Sequence, residues 1–142
     1  MPGDELSRID EWLTATLLAD AAVTAIVGQR VYGELAPPSS SWPHVLFQQQ
    51  ASSDVMGAAQ NRIMVDAVYL VRGVHEAESF GGAVKALADA ITAALHAEAG
   101  ATTDALILAC TRARPFRLVE LDNGGAQYRH AGSIFRILAQ LS

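Results

Sequence analysis

The chain has 142 residues, 51% of them apolar and 18% charged, with a net charge of −5; that is long enough to close one hydrophobic core and too apolar for a disordered chain. No apolar run reaches the roughly 18–20 residues that span a bilayer, and "MPGDELSRIDEW" lacks the basic-then-apolar order of a secretory leader. The acidic balance without a basic block argues against a dedicated nucleic-acid reader, so the expectation is one soluble domain over residues 1–142 with no membrane partner.

In chain order, the first helix is expected from about Asp4 to Ala19, with Asp4 as its cap and Glu5 and Asp10 near its positive end. Ile9, Trp12, Leu13, Thr16 and Leu17 form its apolar stripe. Asp20 can cap a shorter helical turn, "AAVTAIV", that Gly28 stops. "RVYGEL" follows as a short extended piece, and Pro37, Pro38 and Pro43 hold the next stretch out of helix as a surface loop. "HVLFQQQA" (44–51) reads as a strand, "SSDVMGAAQ" (52–60) as a linker, and "NRIMVDAVYLVRG" (61–73) as a long central strand whose alternation puts Ile63, Val65, Ala67, Tyr69 and Val71 on one face.

A second main helix is expected over about Glu76–Glu98, with Phe80, Val84, Leu87, Ile91 and Leu95 as its stripe, Gly81 and Gly82 weakening its start, and Gly100 ending it. Three strands complete the order: "DALILACTRA", "FRLVEL" and "AQYRHAGSIFRILAQL", the last two joined by "DNGG", a hairpin turn signal. Strands and helices do not alternate regularly. The expected class is therefore α+β, a largely antiparallel mixed sheet of about five strands with two main helices packed against it.

The chain offers little for catalysis. The lone cysteine, Cys110, excludes an internal disulfide and a cysteine-cluster metal site, and in "ALILACTRA" it reads as a buried small residue. His44, His75, His96 and His130 lie in four different elements without metal-ligand spacing, so they read as surface or rim residues. "SFGGAV" lacks the lysine and spacing of a phosphate loop, and "AGSIF" lacks the flanks of a nucleophile elbow. Glu120 and Asp122 flank a turn, where solvated acids are ordinary. No enzyme activity, cofactor, metal or catalytic residue is expected.

Surface for partners is better represented. "SSDVMGAAQNR" is long for a hairpin loop and holds Val55 and Met56, two apolar residues with no local reason to be exposed. Asp54, Val55, Met56, Asn61 and Arg62 are therefore candidates for an assembly surface. Trp42, between serine and proline, either anchors its loop on the core or meets a neighbour, and joins the candidates on the second reading.

The segments "IDEWLTATLLADAAVTAIVGQRVYGELAP", "WPHVLF", "IMVDAVYLV", "AVKALADAITAAL" and "DNGGAQYRHAGSIFRILAQ" follow one another in an order that resembles the tail-completion or tail-terminator proteins of long-tailed, siphovirus-type phages. The likeness covers nearly the whole chain, and "VGQRVY" followed by "WPHVLF" is its most specific part. His44 departs from the pattern, standing where an aromatic is expected after the proline.

The resemblance implies a virion assembly protein, present in the host cytoplasm during assembly and then at the head-proximal end of the tail. Copies would form a homo-oligomeric ring, expected to be a hexamer, that stops tube polymerisation and presents a joining surface. The implied partners are further copies of itself, the tail tube protein and the head connector or neck protein, with DNA only passing through the lumen. The alternatives are a head-completion or neck connector protein and a small-molecule-binding α+β domain.

Overall fold

The computed structural model describes residues 4–76 and 82–141. Its elements are α1 (Glu5–Ala19), α2 (Ala21–Val27), β1 (Val31–Gly33), β2 (His44–Met56), β3 (Arg62–Glu76), α3 (Gly82–Leu95), β4 (Glu98–Ala101), β5 (Ala105–Leu121) and β6 (Gln127–Leu141). The architecture is α+β, with a six-stranded sheet in the order β1-β2-β3-β6-β5-β4. Among the described residues only the β1–β2 pairing is parallel.

The helical corner forms from local chemistry. The Asp4 carboxylate accepts from the Ser7 amide at 2.7 Å, and that of Asp20 accepts from the Val23 amide at 3.0 Å; each satisfies a donor that a first helical turn leaves unpaired. Gly28 takes φ 62° and ends α2. Ile9, Trp12, Leu13 and Leu17 of α1, with Val23 and Val27 of α2, are buried as the stripe predicts.

β3 is the central strand the alternation predicts. Val65, Ala67, Tyr69 and Val71 turn to the helices and lie in one core cluster with Leu87, Ile91, Phe135 and Ile137. Ile63, expected on that face, lies beyond it and is exposed. The Tyr69 hydroxyl donates to Asp10 Oδ1 at 2.7 Å, which fixes α1 on the sheet.

On the opposite face, which carries no helix among the described residues, Leu70, Val74 and Ile134 are still only 2%, 3% and 5% exposed. The sheet curls into a half-barrel. At Gly132 an added Cβ would lie 2.1 Å from the Val71 carbonyl oxygen and 2.6 Å from the Arg72 Cα, so only glycine permits so close an approach of β6 to β3, a crease in the pairing.

Several boundaries differ from the sequence expectation. The described residues form six strands and three α-helices rather than about five strands and two main helices. The expected linker 52–60 is largely strand: β2 runs on to Met56, and the chain reverses through a 3-10 turn at Ala58–Gln60. The two strands expected at 104–113 and 116–121 are one, bulged between Arg112 and Arg114. Pro115 is tolerated because β4 pairs no farther than Cys110, leaving β5 an edge strand there. β3 extends to Glu76, where the second main helix was expected to begin. That helix ends at Leu95, Ala97 takes φ 63°, and the expected helical tail at Glu98 is strand β4. Phe80 and Gly81 lie outside the described residues.

Candidate assembly surface

Five of the six candidate residues share one arm. Asp54, Val55 and Met56 end β2, Asn61 closes the turn and Arg62 begins β3, with Val55 opposite Met64 and Met56 opposite Arg62. The arm projects past the last β3–β6 pair, Val65–Ala139, so its tip has β2–β3 pairing only. Met56 is 53% exposed and Ile63 44% exposed, while Val55 is half-buried. Arg62 Nη1 binds Glu5 Oε1, and its Nε lies 4.0 Å from Asp54 Oδ1. Glu5 is buried, so this ion pair clips the turn end of the arm to the start of α1.

Trp42 sits elsewhere. Its indole stacks on His44 with centroids 4.5 Å apart, and meets Tyr128 at 5.1 Å. Ten β2 residues separate His44 from Asp54, about 33 Å of extended strand. The structure therefore gives Trp42 the loop-anchoring contacts and separates it from the arm.

The end of the sheet near Trp42 holds polar groups that the sequence reading placed at the surface. His44 and His130 are buried; with no helical or strand periodicity to mark them, their residue types alone suggested a rim. His44 Nδ1 lies 3.3 Å from the Ser41 carbonyl oxygen, and His130 Nε2 lies 3.2 Å from Glu120 Oε1. Burial pushes both imidazoles below the ordinary histidine value, and nearby Arg72 adds to the effect. Arg72 is itself held below its usual value by burial. Asp122 is a turn residue: its carboxylate accepts from the Gly124 amide at 2.8 Å and the Ala126 amide at 2.9 Å.

Cys110 is buried, and desolvation pushes its thiol up to about 12. Among the described residues no group of three or more His, Cys, Asp or Glu side chains is placed to hold a metal ion, and no helix is long and apolar enough to cross a membrane.

Two features escaped the sequence reading. The first is the margin beside β1, where an open groove of about 580 Å³ runs between α1 and β1 with Asp10, Glu11 and Glu34 on its wall and Phe47 at its base. Burial raises the Asp10 carboxyl, the Tyr69 hydroxyl opposes that by donating to it, and Glu34 and Asp4 push it up further. The second is the free length of β5 at the opposite margin, with Leu118, Val119 and Leu121 exposed beside Arg114 and Arg117. The run "TRARPFRLVEL" held that signal in its basic and apolar residues, but an internal proline made it read as two strands.

A solved chain described as "Virion of native gene transfer agent (GTA) particle" is similar in fold, with a TM-score of 0.74 over 98% of this chain and 99% of that one, at 18% identity. No curated protein matches the sequence. The model of the family described as Tail completion protein gp17 matches residues 11–139. With nearly the whole sheet, α2, α3 and most of α1 inside that match, the chain belongs to the Tail completion protein gp17 family.

Proposed function

We propose that the protein is a phage virion assembly component, the tail terminator: a ring of six copies that closes the head-proximal end of the tail tube, stops its growth and offers the surface to which the head joins. Family membership over residues 11–139 is the observation that carries this reading. The fold shared with a chain of a gene transfer agent virion accords with it. A closed ring needs two different patches per subunit rather than one self-complementary patch, and the sheet has two unlike margins and a projecting arm to supply them. A net charge of −5 suits a lumen that passes DNA without gripping phosphate.

On this reading the β2–β3 arm, with Asp54, Val55, Met56, Asn61 and Arg62, meets the tube or a neighbouring copy, and Trp42 supports the rim from the other end. The deciding experiment is electron microscopy of particles made with the gene deleted. Overlong tubes without heads are expected. Tubes of normal length left unattached would reassign the protein to the neck, and normal infectious particles would end the assembly reading.

A further inference from the structure

The two margins of the sheet match each other level by level. Following the ladders across, Val31 aligns with Val45, Gly73, Ala131 and finally Arg117; Tyr32 aligns through Leu46, Arg72 and Gly132 with Phe116. Gly33 ends in the same way at Pro115. Among the described residues no strand pairs with the outer side of β1, nor with that of β5 from Ala113 onward, because β4 pairs no farther than Cys110 and the Arg112 amide is taken by His96 Nδ1 at 3.1 Å. The open length of one margin thus lies at the height of the open length of the other. β1 is also antiparallel to β5 across the sheet. A rotation about an axis running along the strands leaves strand directions unchanged, so copies set side by side would meet in an antiparallel seam.

The chemistry of the margins is complementary. Arg114 and Arg117 are exposed on β5, and neither has an ion-pair partner among the described residues. The β1 margin carries Glu34, exposed and without a cation, next to Asp10 and Glu11. Each margin also leaves large apolar groups in water: Leu35 is 83% exposed on one, and Leu118 and Leu121 are 47% and 65% exposed on the other. An edge strand bearing exposed apolar side chains invites pairing. Here Pro115 and the bulge limit the ladder such an edge can offer, so side-chain contacts must carry much of the seam.

We infer that the outer edge of β5 in one copy docks on the β1 margin of the next, with Phe116 facing Tyr32, Arg114 level with Glu34, and Arg117 adding positive charge toward the acidic margin. Burial raises the Asp10 carboxyl most, and the further push from Glu34 and Asp4 fits a margin that gains from an incoming cation. The inference rests on the ring reading above and assigns its subunit contact.

The test places cysteines at Tyr32 and Phe116 (Tyr32→Cys with Phe116→Cys) in a chain that complements a deletion, followed by mild oxidation of purified particles. Facing residues of adjacent antiparallel strands lie within disulfide range, and buried Cys110 stays silent. A ladder of covalent multimers on a non-reducing gel is expected, absent with either single cysteine. Incorporation of the double variant with monomer bands only would overturn the seam while leaving the virion role intact. Wild-type chain missing from particles would instead end the function reading.

If the cysteine variant fails to fold, charge exchange decides. Arg114→Glu is expected to lower incorporation about tenfold or more, and adding Glu34→Arg to it should restore most of the loss. An Arg114→Glu chain incorporated like wild type, or no restoration by Glu34→Arg, overturns the assignment.

Discussion

A methyl group added at Gly132 tests the crease that shapes the sheet. The new Cβ would meet the Val71 carbonyl oxygen at 2.1 Å, the Arg72 Cα at 2.6 Å and the Val71 carbonyl carbon at 2.9 Å. These are backbone atoms of a strand paired on both sides, so they cannot turn away as a side chain would. Overpacking that side chains can absorb costs about 1–3 kcal/mol; with backbone as the obstacle, Gly132→Ala should cost roughly 3 kcal/mol or more, which is about 10 °C in melting temperature for a chain of this size.

Two other glycines calibrate the argument. At Gly73 the added Cβ would meet Leu87 Cδ2 at 2.5 Å and Cγ at 2.8 Å; this flexible side chain can shift, so Gly73→Ala should cost about 1–2 kcal/mol. At Gly82, in the first turn of α3, nothing lies within 4 Å, and alanine should gain about 0.5 kcal/mol from helix propensity. Urea and thermal melts followed by far-ultraviolet circular dichroism give the order directly. A Gly132→Ala protein within about 1 kcal/mol of wild type, or less destabilised than Gly73→Ala, would refute the crease as described.

The remaining predictions are independent of that one. Replacing Val55 and Met56 together with aspartate should leave the melt within a few degrees of wild type while impairing assembly in a complementation assay; a large loss of stability would show that the arm belongs to the core. Arg62→Ala should cost about 1–3 kcal/mol because it strands the buried Glu5 carboxylate; an unchanged denaturation midpoint would remove the clip from the account. Cys110 should react with an aromatic disulfide reagent only as fast as the protein opens, and rapid labelling of native protein would contradict its burial. His44 and His130 have folded values below the ordinary 6.5, so the unfolded chain takes up protons first and stability should fall as pH drops below about 6.5. Replacing both histidines with apolar residues of similar size should flatten that slope, and an unaltered slope would assign it to other groups.

Where a local rule acts alone, the sequence was legible. Asp4, Asp20 and Gly28 set the helical corner through caps and a positive φ; the alternation of Val65, Ala67, Tyr69 and Val71 gave the central strand; Asp122 and Gly125 gave the turn. The misreadings all depend on pairing with another strand rather than on the segment's own residues. "SSDVM" is too polar to announce a strand, and becomes one because residues 62–67 run beside it. Pro115 reads as a break until it is seen that β5 is an edge there. The alanine-rich run after Leu95 has helix propensity, overridden when the Ala97 amide bonds the Cys110 carbonyl at 2.8 Å. For the candidate surface, Asp54, Val55, Met56, Asn61 and Arg62 share one arm while Trp42 lies elsewhere, and the arm's clip to Glu5 spans 57 positions and leaves no local pattern. The basic β5 margin was hidden by the same proline that split the strand.

The position of β6 has a consequence for how the molecule comes together in time. This strand follows every other element in chain order, yet it occupies the middle of the sheet, between β3 and β5. The β2–β3 and β5–β6 hairpins are local and can form early, but the β3–β6 ladder joins residues as far apart as Val65 and Ala139. Contacts of such wide sequence separation close slowly. Until they close, the two halves of the sheet expose strand edges at its future centre. The subunit therefore commits to its native shape in a late step, and the margins assigned to the neighbouring copy acquire their common register only when that step is complete.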